Sequence, residues 1–191
     1  MTDLSKRKAA SREELKKIRA AIPPEHREAG STAIRERLLG LKEIRSARAI
    51  FLFISYGSEV DTHALLDHFL ESGKDLAVPR IMGSSEMIAT PFTGWDDLVK
   101  GQLGILTPRG DQSYPGQLDV AITPGLGFTR TGHRIGYGRG YYDKWFAKHP
   151  ATRRVAIAYS EQILDEIPVD EKDVLMDRIV TEDEVITCAD Q

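Results

Sequence analysis

Short apolar runs alternate with helical patterns along most of the chain. Four runs, AIFLFIS (49–55), DLAVP (75–79), LDVAIT (118–123) and RRVAIAYS (153–160), are continuous and rich in β-branched residues. Such runs are typical of strands that are covered on both faces of a parallel sheet. Their alternation with helical segments predicts an α/β fold, with an open, mostly parallel sheet flanked by helices in a single domain.

The first part of the chain predicts helices only. Leu15, Ile18 and Ile22 recur at i, i+3 and i+7, which gives a narrow apolar stripe, and the proline pair that begins at Pro23 ends this helix. A second helix is expected to start near Pro24. We therefore divide the single domain, residues 1–191, into an N-terminal helical part (1–45) and an α/β core (46–191).

The remaining elements are less regular. YYDKWFAKH (141–149) and SEQILDEI (160–167) predict helices, whereas RIVTEDEVI (178–186) predicts a last strand or a pair of strands. Between residues 81 and 116 the pattern weakens, and only short strands and turns are expected there.

Composition places the chain among ordinary globular proteins. Of its 191 residues, 41% are hydrophobic and 29% charged, and the formal net charge of −3 does not favour nucleic acid as a partner. The single cysteine excludes an internal disulfide, and no apolar run approaches the length of a membrane span. The N-terminal residues lack the apolar core of a secretory signal, so we expect a cytoplasmic location. We also expect the protein to be a monomer.

Residues 125–146, GLGFTRTGHRIGYGRGYYDKWF, combine glycines with positive charge. The sequence does not match a Walker A motif here, because His133 and Arg134 replace the lysine and the hydroxyl residue of that motif. The G-x-G-x-G spacing from Gly136 does not match the dinucleotide-binding fingerprint either. Glycine backbone, arginines and the start of a helix still suit a phosphate group. Asp143 in that first helical turn would suit phosphate if Mg²⁺ lay between them.

This stretch resembles a known family signature. PGLGF followed by G-x-R-[IL]-G-x-G-x-G-Y-Y-D is similar to the motif of the 5-formyltetrahydrofolate cyclo-ligases, also called methenyltetrahydrofolate synthetases, and spans residues 124–143 without a gap. Other segments agree in the family's order, namely K-x-x-x-R at 8–12, SEVDT at 58–62, AVPRI at 77–81 and IPVDEKDVLMDRIVTED at 167–183. One departure is Thr129, at a position that is often aspartate in the family.

The resemblance implies an enzyme that uses ATP and Mg²⁺ to convert 5-formyltetrahydrofolate into 5,10-methenyltetrahydrofolate. Polyglutamylated forms of the substrate are included in this expectation. ADP and phosphate would leave, through a phosphorylated formyl intermediate. The implied catalytic residues are Lys8, Arg139 and Tyr142, with Arg139 as the group that neutralises the transferring phosphoryl group. The implied ATP-binding residues are Lys8, Arg12, Arg134, Ile135, Gly136, Tyr137, Gly138, Arg139, Gly140, Tyr141 and Tyr142.

The resemblance also implies a folate site and a metal site. The folate would meet Ile54, Glu59, Arg12, Tyr137 and Tyr141, with the Glu59 carboxylate accepting hydrogen bonds from the pterin N–H groups. Asp143 and Asp177 would bind Mg²⁺.

Several of these residues also suit an ordinary structural role when they are judged from residue type alone. Lys8 and Arg12 fit a solvated basic helix, Ile54 fits plain core, and Glu59 and Asp177 fit surface carboxylates.

Other functions stay open at this point. A protein that binds nucleotide or folate without turnover would share the glycine stretch, but it would not need Asp143 or Arg139. A sugar-phosphate isomerase or a CoA transferase on a similar sheet is a further alternative, although the isomerase would need no ATP. The expected partner is a small molecule, with neither nucleic acid nor a membrane.

Overall fold

Helices and strands alternate in the computed structural model, which describes residues 2–83, 86–101 and 104–188. The helices are α1 (Asp3–Ala21), α2 (Pro24–Gly40), α3 (Lys42–Ser46), α4 (His63–Glu71) and α5 (Tyr141–Lys148). The strands are β1 (Ala49–Leu52), β2 (Asp75–Met82), β3 (Glu86–Pro91), β4 (Leu98–Lys100), β5 (Leu106–Pro108), β6 (Val120–Thr123), β7 (Gly127–Thr129), β8 (Arg134–Ile135), β9 (Arg153–Ile157), β10 (Ile163–Leu164), β11 (Arg178–Val180) and β12 (Val185–Thr187).

The main sheet has the order β12-β11-β9-β6-β1-β2-β3 among the described residues. Its five central strands are parallel, and the antiparallel strands β12 and β3 form the two edges. Two small sheets lie beside it, β10-β7-β8 and β4-β5. This architecture confirms the predicted α/β fold with a mostly parallel sheet flanked by helices.

Residue size decides which helix covers each face of the sheet. Large aliphatic side chains of the central strands pack with α2, α3 and α4 in one core. On the other face Phe51 has the small residues Ala77 and Ala121 beside it in register. The space above these alanines admits α5, whose Trp145 ring lies 4.6 Å from that of Phe51. The sheet therefore has a helical layer on each side.

Helix α1 packs against the small β10-β7-β8 sheet, at the carboxyl edge of the main sheet. Leu15 is 3% exposed and packs with Leu126 and Ile135. Position 127 must be small for this contact, because a Cβ there would lie 2.8 Å from Leu15 Cδ1. The predicted stripe is confirmed, since Leu15 and Ile22 are both buried.

Most predicted elements are confirmed, including the four buried strands, α5 and the terminal strand pair. The helix predicted for residues 160–167 is wrong. That segment forms a 3₁₀ turn, Ser160–Gln162, followed by β10, which pairs with β7. The buried Gln162 amide donates to the carbonyls of Gly125 and Leu126, at 3.0 Å each, and so ties the segment to the loop after β6.

No helix within the described ranges is long and apolar enough to cross a membrane.

Gly132→Ala is expected to destabilise the fold. Gly132 has φ +94°, and an added Cβ would lie 2.6 Å from the Met176 carbonyl oxygen, so the turn between β7 and β8 must shift. We expect the free energy of unfolding in urea to fall by about 2 kcal/mol or more. Gly40→Ala is the matched control, because its Cβ would meet nothing within 4 Å. Equal stability of the two variants would contradict this account.

Candidate active site

A cleft of about 1620 Å³ opens at the carboxyl ends of the central strands, between α1 and the segment that leads into α5. Ligands bind at this edge in open α/β sheets. All but one of the residues predicted from the sequence line the cleft, namely Lys8, Arg12, Ile54, Glu59, Arg134, Ile135, Gly136, Tyr137, Gly138, Arg139, Gly140, Tyr141, Tyr142 and Asp143. The exception is Asp177.

Lys8 faces acidic residues across the cleft. Its Nζ lies 2.8 Å from Asp170 Oδ2 and 2.5 Å from Asp173 Oδ2, and its side chain is 11% exposed. Burial lowers the pKa of Lys8, but hydrogen bonds to the two carboxylates and their charges outweigh burial and raise the pKa above 10.5. Lys8 is therefore a fixed, fully charged ammonium group at neutral pH.

Arg12 joins α1 to the glycine-rich loop formed by residues 134–140. Its Nε donates to the Gly136 carbonyl at 3.0 Å. Gly138 adopts φ +98°, and a Cβ there would lie 3.1 Å from Arg12 Cζ. Glycine at 138 thus permits both the turn and the close approach of the guanidinium group.

Arg134 begins β8 and is directed inward. Its side chain is only 5% exposed, and Nη2 donates to Asp143 Oδ1 at 3.0 Å. The same Asp143 oxygen accepts a hydrogen bond from the Val174 amide at 3.3 Å, and Arg134 Nε is buried without a hydrogen-bond partner among the described residues. Arg134 therefore orients Asp143.

Arg139 and the two tyrosines complete this wall of the cleft. Arg139 is exposed, just before α5. Tyr142 is wedged between the Phe51 ring, at 6.0 Å, and the Arg134 guanidinium group, at 5.3 Å from its ring centre. Burial raises the pKa of the Tyr142 phenol well above its ordinary value. At neutral pH Tyr142 is thus a neutral hydroxyl. Tyr141 is half-buried and lines the cleft.

Glu59 and Tyr137 form the wall of the cleft beside the carboxyl end of α1. The Tyr137 hydroxyl donates to Glu59 Oε1 at 2.6 Å, and the Tyr56 amide donates to Oε2 at 2.9 Å. Partial burial, followed by the Glu59 charge, raises the pKa of Tyr137, which keeps its proton available for this hydrogen bond. Ile54, 7% exposed, belongs to the main core and also lines the cleft.

Sequence reasoning missed Arg19. Its Nη1 lies 3.7 Å from Glu59 Oε1, with both side chains about 10% exposed or less. A signal was present, because Arg19 lies eleven residues after Lys8 and thus on the same face of α1. Nothing in the sequence showed that this face would be covered.

Asp177, the second predicted metal ligand, does not line the cleft. Its carboxylate accepts hydrogen bonds from the Arg154 amide at 2.7 Å and from Arg154 Nη2 at 2.6 Å. Both residues lie at the amino ends of the parallel strands β9 and β11, whereas the cleft lies at the carboxyl ends. Asp177 therefore fixes the sheet.

Asp170 and Asp173, from the same acidic segment as Asp177, reach the cleft instead. Asp173 directly precedes Val174, whose amide binds Asp143, so the backbone places Asp143 and Asp173 side by side. The segment VDEKDVLMD contains all three aspartates, but their spacing alone did not show which of their carboxylates face the cleft.

An open α/β sheet with a glycine-rich, cation-lined cleft at its carboxyl edge is typical of α/β proteins that bind anionic ligands. The 5-formyltetrahydrofolate cyclo-ligase family model matches residues 4–182. The chain belongs to this family of ligases.

Individual relatives agree over nearly the full length. A probable 5-formyltetrahydrofolate cyclo-ligase of Caenorhabditis elegans is 29% identical over 97% of this chain and 98% of the relative. The 5-formyltetrahydrofolate cyclo-ligase of Mycolicibacterium smegmatis is 32% identical over 91% of this chain and 93% of its own. The solved structure of the Aquifex aeolicus 5,10-methenyltetrahydrofolate synthetase has a TM-score of 0.82 at 27% identity, with coverage of 96% and 94%.

Lys8→Met is expected to reduce stability in a pH-dependent way. Since the folded-state pKa of Lys8 is raised, the stabilisation by its ion pairs is complete from neutral pH up to pH 10.5 and is lost as the pH rises through the folded-state pKa. We expect the variant to be less stable by about 1–3 kcal/mol at neutral pH.

Urea unfolding at several pH values measures this difference. It should narrow above pH 10.5, where the wild-type lysine loses its charge. Lys6→Met, which removes an exposed lysine of the same helix, serves as the control. A stability difference that is independent of pH would contradict the prediction.

Proposed function

We propose that this chain converts 5-formyltetrahydrofolate into 5,10-methenyltetrahydrofolate with consumption of ATP, in a reaction that requires Mg²⁺ and releases ADP and phosphate. Family membership supports the folate conversion. One observation carries the nucleotide part. The loop 134–140 faces the cations of α1 across a cleft that also holds Asp143 and Asp173.

The triphosphate of ATP would lie between α1 and the loop 134–140. Lys8 and Arg12 are on one face of α1 and bring two positive charges into the cleft. Backbone N–H groups around Gly136, Gly138 and Gly140 can approach phosphate oxygens closely. Arg139 is exposed at the mouth of the loop, and no ion pair engages its side chain within the described ranges. It is therefore the best placed group for the transferring phosphoryl group.

The residues present fit a Mg²⁺ ion that arrives with the nucleotide. Asp143 and Asp173 offer carboxylate oxygens, the donor type that Mg²⁺ prefers, and Arg134 with the Val174 amide fixes Asp143. No group of three or more His, Cys, Asp or Glu side chains suited to a metal ion occurs among the residues that the structure describes. This agrees with a metal held by one or two carboxylates and the phosphates. When bound, Mg²⁺ would neutralise phosphate charge.

The folate would occupy the end of the cleft beside the carboxyl end of α1. Glu59 offers a carboxylate for the pterin N–H groups, Ile54 provides an apolar wall, and Tyr137 and Tyr141 present aromatic rings beside them. Arg12 lies between this region and the loop, where it can contact either ligand. Both substrates thus share one cleft, which is the arrangement that a direct transfer requires.

In the proposed reaction the formyl oxygen attacks the γ-phosphoryl group of ATP, and ADP leaves. N10 then attacks the activated formyl carbon and the ring closes, N10 loses its proton to the solvent or the departing phosphate, and phosphate leaves with the former formyl oxygen. No protein nucleophile is needed, so the chain acts by positioning and by stabilising charge. Lys8 and Arg139 neutralise the phosphoryl oxygens, and Tyr142, which keeps its proton, can donate a hydrogen bond.

A monomeric state, a cytoplasmic location and acceptance of polyglutamylated substrate stay predictions.

Arg139→Ala is expected to lower kcat strongly. If its charge stabilises the transferring phosphoryl group, its loss should reduce kcat by about 100-fold or more, with a smaller change in KM. The assay mixes protein, Mg·ATP and 5-formyltetrahydrofolate and follows the near-ultraviolet absorbance of the methenyl product.

Arg130→Ala is the matched control, since Arg130 is exposed on the same segment but pairs with Glu184 outside the cleft. It should keep wild-type kcat. A wild-type protein that forms no product, or forms it equally well without ATP, would overturn the proposed function.

The proposed choice of metal ligands gives a second test. Asp143→Asn and Asp173→Asn should each raise the Mg²⁺ concentration needed for half-maximal activity by about tenfold or more, because each removes a proposed ligand. Asp177→Asn should leave that concentration unchanged while it lowers the melting temperature, because it weakens the Arg154 contacts. A larger Mg²⁺ effect at Asp177 than at Asp173 would refute this assignment.

A further inference from the structure

Arg19 places a buried positive charge where three walls of the cleft meet. Its Nε donates to Ser58 Oγ at 3.1 Å, its Nη1 to the Gly125 carbonyl at 3.4 Å, and its Nη2 to the Tyr137 hydroxyl at 2.8 Å. These partners belong to three different segments, namely the loop after β1, the loop after β6 and the glycine-rich loop. A single guanidinium group therefore links α1 to every wall at this end of the cleft.

The charge of Arg19 is matched by Glu59. Arg19 Nη1 and Glu59 Oε1 are 3.7 Å apart, and the Tyr137 hydroxyl bridges them because it accepts from Arg19 and donates to Glu59 at 2.6 Å. The Arg19 guanidinium group also lies 5.7 Å from the centre of the Tyr137 ring. A carboxylate with so little exposure needs such partners, because burial of a polar or charged group without partners is highly unfavourable.

We propose that Arg19 is a positioning residue for the folate substrate. It holds the Glu59 carboxylate in one orientation, and it fixes the Tyr137 ring beside it, so that both are in place before the pterin enters. A pterin edge offers neighbouring N–H groups, and a carboxylate receives two of them well only when its plane is fixed. The inference rests on the proposed function, since it concerns the wall that is assigned to the folate.

The contacts of Arg19 distinguish this role from simple attachment of the helix. The apolar residues Leu15 and Ile22 bury the face of α1, and the Lys8 ion pairs hold its amino-terminal half. Arg19 instead meets side chains that line the cleft, and Tyr137 remains 49% exposed there. Removal of Arg19 should therefore release Glu59 and Tyr137 while the helix stays in place.

Arg19→Met tests this inference, because methionine keeps the apolar stem and removes the charge and the donors. In calorimetric titration with 5-formyltetrahydrofolate and no nucleotide, we expect binding to weaken by about tenfold or more. In the enzyme assay KM for the folate should rise by a similar factor, whereas KM for ATP should stay near the wild-type value. Arg19→Lys keeps a charge without the guanidinium fork and should recover only part of the loss.

Lys17→Met is the matched control, because it removes an exposed positive charge from the same helix outside the cleft. Its folate affinity should equal that of the wild type. Thermal unfolding checks the fold of each variant. If Arg19→Met does not fold, Arg19→Lys and Tyr137→Phe, which removes the bridging hydroxyl, provide the same measurement.

A double-mutant cycle with Glu59→Gln separates positioning from a general structural effect. If Arg19 acts through Glu59, the double variant Arg19→Met/Glu59→Gln should bind the folate no more weakly than Glu59→Gln alone, within about twofold. Additive losses, equal increases of both KM values, or wild-type folate affinity in Arg19→Met would overturn the inference and leave the proposed function intact. Absence of folate binding by the wild-type protein would overturn both.

Discussion

The arrangement of the cleft depends on one apolar contact, that of Leu15 with Leu126 and Ile135. Burial of a leucine contributes about 1.5–3 kcal/mol, and here it fixes the rotation of α1 about its own axis as well as its position. Lys8, Arg12 and Arg19 share the helix face of Leu15, since they lie seven and three residues before it and four after it. One hydrophobic anchor therefore directs three cations into the cleft. The anchor requires glycine at position 127, where a Cβ would collide with the leucine.

Each of these cations is already neutralised or hydrogen-bonded by the opposite wall. Lys8 pairs with Asp170 and Asp173, Arg12 binds the Gly136 carbonyl, and Arg19 lies beside Glu59. Ligand binding in such a cleft exchanges one set of charged partners for another, so affinity reflects the difference between the two sets. In the proposed reaction Lys8 would exchange its ion pair with Asp173 for one with phosphate, and Asp173 would then be available to bind the metal ion.

Much of the fold could be predicted because its elements are defined locally. The four buried strands and the stripe on α1 follow from hydrophobic periodicity, and the alanines beside Phe51 complete a core that the pattern already required. Segment 160–167 could not be predicted in this way. Its apolar spacing allows a helix, and the choice is made by distant partners, namely β7 and the carbonyls that Gln162 binds.

The site shows the same division between local and distant information. The glycine motif identified the loop, and the family resemblance implied different tasks for its two arginines, but neither showed that Arg134 is turned inward. Arg134 is buried beneath Tyr142 and spends its charge on Asp143, whereas Arg139 stays exposed. Likewise Asp173 and Asp177 are only four residues apart in sequence. Asp173 lies in the cleft at the carboxyl ends of the parallel strands, whereas Asp177 lies at their amino ends, because the chain between them runs from the cleft to the start of β11. Residue type and spacing show which charges are available. Burial decides which of them fix other side chains and which remain free to meet a ligand, so assignment of roles within a charged motif requires the packing around it.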